Sequence, residues 1–439
     1  VLKTASRTGA SSSAWPEPGL RADFHRYLAA RVVTVAGGLI CVVVLPVLTY
    51  RLTGSAGWTS AVAAAEALPY LVFGLAAGAV ADRIPRRAVL ITADLLAAAL
   101  LASLAIAWWT DALTAAHVLA VGFAVQSLFV FADAAGFGAL TTLVGRERLT
   151  GAYSTMFSAT AITEIAVPPL VGLAVAVVAP APLLALNALL AVASALLLRA
   201  VVRPLSVKRE GERSPHAPRE GGRVRTSAGA VVADVRAGLA FVARHPVVRV
   251  LTLTGATHAA AGGAWVALLV PFADHALGIA PSGDVRLAVL LTCWGVGGVL
   301  AGKVTPRLVT RFGHARLALA GLPCSLAFAL ATALAPHWIV AAVSVACWGL
   351  SHSVVVVGAV TYRALLSPDD MQARVNTTGR MLAWGVGHPA GAALAGAVAV
   401  TGAGVRGGLL AACALLAAGV VIAWSSSSLR SRTASPAHH

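Results

Sequence analysis

Four carboxylic acids, Glu66, Asp94, Asp133 and Glu164, and three histidines, His258, His352 and His388, lie inside long apolar stretches of this 439-residue chain. An ionised acid in the middle of a membrane helix costs ~2.5–3.5 kcal/mol on insertion scales, so such residues face a cavity or a partner. The chemistry open to them is uptake and release of protons. Their depths differ. At 1.5 Å of rise per residue, Asp94 lies about 10 Å beyond Arg87, close enough to pair with a loop arginine in a structural role. Glu66 lies about 24 Å from Asp82 along its own segment, which predicts a position near the far surface and contact with water. Asp133 and Glu164 lie deeper, each about 20 Å from Arg146 and Arg148. The candidates for proton coupling are therefore Glu164 first, Asp133 second and Asp94 third, against the alternative of permanently protonated hydrogen bonders.

The histidines read individually as interhelical hydrogen bonders, with a proton relay as the sharper alternative. Trp265, Trp294, Trp348 and Trp384 share the second half of the chain with them. Aromatic walls suit flat or amphipathic organic molecules, which makes His258, Trp265, His352, His388 and Trp384 the candidate substrate cavity. Trp58, Trp108, Trp109, Trp338 and Trp424 fit the ordinary preference of tryptophan for membrane interfaces.

The elements that position these residues follow from composition. Hydrophobic residues make up 58% of the chain and charged ones 11%, against roughly 45–50% and about 25% in soluble domains. Apolar runs of about 20 residues match the length a helix needs to cross a hydrocarbon core ~30 Å thick. Spanning helices are predicted at Arg31–Tyr50, Trp58–Val80, Ala88–Trp109, Leu113–Val144, Gly151–Ala179, Ala181–Leu198, Val247–Phe272, Leu287–Val309, Ala315–Ala335, His337–Leu366, Met371–Val400 and Gly404–Trp424. The fold expected is an all-α membrane protein with about twelve transmembrane helices in two pseudo-symmetric six-helix bundles. The five cysteines fall in these runs without CxxC spacing, so neither a disulfide framework nor a metal site is expected. No other cofactor is implied.

Basic residues alternate between loops. Arg21 and Arg26, then Arg83, Arg86 and Arg87, then Arg146 and Arg148, share one side with Arg307, Arg311, Arg316, Arg374, Arg430 and Arg432. The other side offers little beyond Arg51, Arg286 and Arg406. Because cytoplasmic loops retain Lys and Arg, both termini are expected inside the cell. The net charge of +16 is spread over short loops and not gathered in one domain, so no nucleic-acid partner is expected. The partners expected are the lipid bilayer, a small-molecule substrate and protons, with the chain acting as a monomer.

Residues 1–25 read as an N-terminal tail without the apolar core of a signal peptide, 26–202 as the first bundle and 203–246 as a cytoplasmic linker. The linker ends in an amphipathic pattern with Val231, Val235, Leu239 and Val242 at helical spacing, suited to the membrane surface. Residues 247–426 read as the second bundle and 427–439 as a tail. "LTTLVGRERLTGAYSTMF" from Leu140 and "TYRALLSPDDMQARVNTTG" from Thr361 share a helix–turn–helix pattern half a molecule apart, as expected of a duplicated unit.

The densest charge is in "GAVADRIPRRAVL", Gly78 to Leu90. Gly78, Asp82, Arg83, Arg86 and Arg87 occupy the positions of the G-x-x-x-D-R-x-G-R-R signature, so the chain resembles the major facilitator superfamily, with Pro85 where most members have glycine. The following "AVLI", the "TYRLTGSAGWTS" loop and "VRAGLAFVARHPVVRVL" are similar to a drug-exporting branch that includes macrolide efflux proteins and the enterobactin exporter. The resemblance implies a gating latch in which Asp82 faces the N-terminal end of the eleventh helix near Met371. The alternative is that the arginines only enforce topology.

The function expected is a secondary active transporter in the cell membrane, a bacterial inner membrane, that exports an amphipathic drug, antibiotic or siderophore by proton antiport. The resemblance supplies the export direction and the substrate class. Alternatives are a passive or importing facilitator of the same fold, or a membrane component of an ATP-driven complex. No GxxxxGK[ST] stretch is present and no enzymatic activity is expected.

Overall fold

The computed structural model describes residues 18–145, 148–206, 228–281, 284–368, 371, 375 and 378–434; Gly78 and Asp82 are described in their backbone alone. Among the described residues, ten helices are long and apolar enough to cross a membrane. They are α1 (Pro18–Thr53), α4 (Arg86–Trp109), α5 (Ala115–Val144), α6 (Leu149–Val177) and α7 (Pro180–Arg199). In the second half they are α9 (Pro246–Leu277), α10 (Val285–Phe312), α11 (His314–Ala333), α12 (Trp338–Leu365) and α14 (Gly404–Ser425).

Two further crossings are interrupted. α2 (Ala56–Ala67) continues into α3 (Pro69–Arg83) at Pro69, whose ring and missing N–H break the helical ladder. A π-helical segment, Met381–Gly387, runs into α13 (His388–Ala399), the kind of local widening that concentrates at functional sites. With these the fold is an all-α membrane bundle of two six-helix sets, close to the spans read from the apolar runs. Two shorter helices, α8 (Ala228–Arg244) and α15 (Ser427–Ala434), flank the second set.

α1 begins at Pro18, well inside the segment read as a tail. Leu20, Phe24 and Tyr27 recur at helical spacing and are buried in one cluster with Leu140, Leu198 and Val201. Asp23 fixes this end by accepting from the backbone N–H of Val202 at 3.1 Å and of Arg203 at 3.0 Å. α15 likewise starts beyond the last span, with Leu429 wholly buried beside Val247 and Leu251.

Short polar residues cap the starts of α2, α5 and α10. The Ser55 and Thr114 hydroxyls accept from Trp58 N and His117 N, and Asp284 accepts from Arg286 N at 2.9 Å, satisfying donors that a helix start leaves free. Hydrogen bonds from the Arg286 guanidinium hold the Asp284 carboxyl below the ordinary carboxylate range. α9 stops at Gly278, whose φ of 62° is the left-handed conformation that glycine adopts without strain.

The halves meet through α6 on α10, α2 on α13 and α9, and α1 on α9. At the end away from the termini the contact is close. A Cβ on Gly396 would lie 2.2 Å from the Cβ of Ser60, and one on Gly172 would lie 2.7 Å from the Cβ of Leu291.

Candidate functional site

The deepest shared feature of the two halves is a group of charges. Asp133 on α5 forms an ion pair with Arg31 on α1, and both side chains are mostly buried. The Arg31 guanidinium also lies 5.6 Å from the Phe129 ring centroid. From the second half, Arg380 brings its guanidinium to 3.7 Å from the same carboxylate and lies beside the Tyr70 hydroxyl of α3. Asp133 sits about 16 Å along the helix from Val144, well inside the hydrocarbon region. Glu164 on α6 is exposed in this bundle and lies within electrostatic reach of both arginines.

One carboxylate thus answers two cations, one from each half. The Arg31 contact is a closed ion pair, whereas the Arg380 contact is longer than a hydrogen bond and involves a half-exposed side chain. Such a link can be made and broken as the halves move. Sequence reasoning missed both arginines, because Arg31 opens the first apolar run and Arg380 hides in the eleventh. The signal was available: an intramembrane arginine is as costly as an intramembrane acid and calls for a partner.

Asp94 does not pair with an arginine of the knot. It is buried, with a carboxyl oxygen 3.5 Å from the Thr34 hydroxyl, which in turn lies 3.0 Å from that of Ser194. Its Oδ2 has no hydrogen-bond partner among the described residues. Glu66 does not reach water either. It is 6% exposed, its Oε2 lacks a partner among the described residues, and its chain lies against Gly122 of α5. Depth along one helix gave the wrong answer because α2 is covered by α1, α5, α9 and α13, so height and burial do not coincide.

The arginine knot holds the first half together. The Arg86 guanidinium donates to Gly138 O at 2.8 Å and to the Thr142 hydroxyl at 2.9 Å. Arg87 donates to Val201 O at 2.6 Å and Arg203 O at 2.7 Å. These bonds clamp the start of α4 to α5 and to the exit of α7, while Arg83 is exposed. The latch expected between Asp82 and the eleventh span falls outside the described side chains, as do residues 372–374 of its partner.

Of the expected substrate wall, His258 and Trp265 are packed core. His258 is wholly buried, with Nε2 3.2 Å from the Ser325 hydroxyl. Its ring centroid lies 5.3 Å from that of His352, which lies 5.1 Å from Trp294. Trp265, Trp294 and Trp348 pack on one another at 5.1–6.2 Å. Trp265 is 2% exposed and does not line an open wall; the three indoles and two imidazoles bury their faces and edges against one another. Trp384 differs, being half-exposed and stacked on His388 at 5.2 Å, four residues beyond Arg380.

A second cross-half contact was not anticipated. The Tyr50 hydroxyl of α1 donates to Asp274 Oδ2 of α9 at 2.6 Å, and Arg51 Nε donates to Pro281 O at 2.7 Å. This clasp closes the end of the bundle away from the termini. A hydrogen bond to a carboxylate contributes about 1.5–3 kcal/mol, enough to bias a two-state equilibrium roughly 10–150-fold. Tyr50→Phe should therefore raise the maleimide-labelling rate of a cysteine placed at Ser60, in a background freed of the native cysteines; an unchanged rate would show that the clasp does not hold this end.

A family model described as Major Facilitator Superfamily matches residues 27–387. No curated protein sequence matches the chain significantly. Among solved structures, the chain is similar to a bacterial homologue of the human lysosomal transporter Spinster in an inward-facing, unoccupied conformation. That match has a TM-score of 0.72 at 13% identity, over 96% of this chain and 100% of that one. The nucleoside transporter NupG matches with a TM-score of 0.69 at 12% identity, over 93% of this chain and 99% of that one. These likenesses show the same fold, and the match of the family model over most of the length settles the membership. The chain belongs to the major facilitator superfamily.

Proposed function

We propose that this protein is a secondary active transporter that alternates access between its halves and exports an amphipathic small molecule in exchange for protons. The observation that carries the reading is the Arg31–Asp133–Arg380 group, in which the second half reaches a buried ion pair of the first. A charge contact across the seam costs little to remake if a substrate or proton replaces one partner, and it favours discrete states over partly open ones. Glu164 is the coupling acid: exposed and in the field of both arginines, it changes the net charge of the group when it takes up a proton. Trp384 and Tyr70 flank Arg380 and supply aromatic surface for the organic part of the cargo. On the positive-inside rule both termini face the cytoplasm of a bacterial cell, and the chain works as a monomer in the membrane.

Proteoliposomes loaded with an amphipathic fluorescent dye test this. An imposed pH gradient should drive dye movement without ATP, and Glu164→Gln should abolish the response to the gradient while leaving dye–dye exchange. Movement that ignores the gradient in the unaltered protein would make it a passive facilitator.

A further inference from the structure

Glu66 and Asp94 are each 6% exposed, and each carries a carboxyl oxygen without a partner among the described residues. They lie on different helices of the first six-helix set and belong to neither the charge group nor the clasp. A lone carboxylate in a dry interior is far costlier than the neutral acid, which needs only one donor and one acceptor.

Between them a file of polar groups, interrupted by apolar neighbours, runs along α1. The Cys41 thiol lies within electrostatic reach of Glu66. The Asn187 side chain donates to Cys41 Sγ at 3.3 Å and to Gly37 O at 2.9 Å. Asn187 opens onto a largely apolar cavity in which Thr34, Asp94 and Gln126 are the other polar lining residues, clustered where a water could sit between them. Its ≈ 40 Å³ of room for the centres of water-sized molecules exceeds the ~10–15 Å³ that one water needs in a polar site. On the other side of Asp94 a second, smaller cavity is lined by Tyr27, Arg31 and Thr34. Thr34 and Ser194, with hydroxyls 3.0 Å apart, stand beside Asp94. Asp94 thus lines both spaces, one shared with Asn187 and the other with Arg31.

The ionisable groups facing these acids are few. Arg31 and Tyr27 share the smaller cavity with Asp94, and Arg31 is already committed to Asp133. Cys41 is the titratable neighbour of Glu66. A metal ion would need several oxygens converging on one point, and among the described residues no group of three or more His, Cys, Asp or Glu side chains does so.

We propose that Glu66 and Asp94 are proton-binding sites in a polar file inside the first bundle, separate from the central charge group, and that protons pass along α1 between them towards Arg31 and Asp133. As a route for the coupling proton, it rests on the antiport reading above. As a pair of protonation sites it does not.

The test is infrared spectroscopy of the full chain in phosphatidylcholine–phosphatidylglycerol vesicles over a pH series. The unaltered protein should show carbonyl bands of protonated buried carboxyls that vanish as pH rises. Glu66→Gln and Asp94→Asn should each remove one band component, and Glu164→Gln should leave both. Thr34→Val, which keeps both acids, should shift the Asp94 component without removing it. Retention of every component in both acid variants would overturn the proposal. Loss of the bands on replacing choline chloride by sodium chloride at fixed pH would also overturn it, in favour of a sodium site. In the dye assay both acid variants should lose gradient-driven movement. If they keep it while the unaltered protein responds, the file carries no coupling proton; if the unaltered protein ignores the gradient, the antiport reading fails and the band assignment stands.

Discussion

Asp133→Ala should destabilise the bundle by about 3–5 kcal/mol, the cost of leaving one partner of a buried ion pair without the other. Arg31 and Asp133 are both mostly buried, and the Arg380 guanidinium 3.7 Å from the same carboxylate would lose its anion as well. The variant would hold two neighbouring cations deep in the membrane region with only Glu164 to answer them. Asp133→Asn should be nearly as harmful, because the amide keeps the shape but supplies no charge. Arg31→Met in the Asp133→Ala background should recover much of the loss, since removing both partners removes the uncompensated charge. Thermal unfolding of the purified proteins in one detergent, read as a double-mutant cycle, measures this. A single variant as stable as the parent, or a double variant no better than the single, would show that Asp133 does not serve as the counter-ion.

That ion pair marks a limit of what the chain discloses. The acids were legible as residues that need a reason to be there, and the spans were legible from apolar run length, because lipid forces each crossing to satisfy its own backbone within a helix. The arginine knot was legible as a motif. The partners of these groups were not, since pairing depends on the rotation of each helix about its axis, which many small packing contacts decide together. Asp94 is close in height to the arginines of the knot, yet its helix face turns towards Thr34 and Ser194. Glu66 is close in height to the surface, yet α2 is covered on several sides. The histidines and tryptophans show the same limit: one residue type supports both a wall and a core, and only burial separates Trp265 from Trp384.

The two cross-half contacts lie at different points along the seam and differ in tightness. Tyr50 with Asp274, and Arg51 with Pro281, tie the end away from the termini. The Arg380 contact lies further along the seam and is the looser of the two. Opening that end requires the clasp to break, and the close approach of Gly396 to Ser60 and of Gly172 to Leu291 must open with it. The knot takes no part in these contacts through Arg86 or Arg87, whose guanidinium groups bind Gly138, Thr142 and Val201 of the first half and Arg203 at the start of the linker. Through Arg86 and Arg87 it ties α4 to α5 and to the exit of α7.

Gly391→Val should prevent the second bundle from assembling. The stretch "GHPAG" places Gly387 and Gly391 four residues apart on one face, the spacing that lets two membrane helices bring their backbones together. α9 takes up that space. A Cβ on Gly391 would lie 1.9 Å from Ala260 O, one on Gly387 would lie 2.5 Å from Ala256 O, and one on Gly263 would lie 2.1 Å from His388 O. The obstructing atoms are backbone carbonyls, so no side chain can swing aside, and the helices must separate along several turns. Separation would also pull the Met381–Gly387 segment, with Trp384, away from its neighbours and carry Arg380 off Asp133. Gly391→Ala already meets the carbonyl and should be strongly destabilised; Gly391→Val should yield no monodisperse protein on size exclusion in mild detergent. Gly302→Ala is the control, because nothing lies within 4 Å of the added methyl. Replacing a mid-helix glycine by alanine without a clash is favourable by roughly 0.5–1 kcal/mol, so this variant should be slightly more stable than the parent. If Gly391→Val elutes and melts like the parent, the close crossing of α9 and α13 is not what holds the second half together.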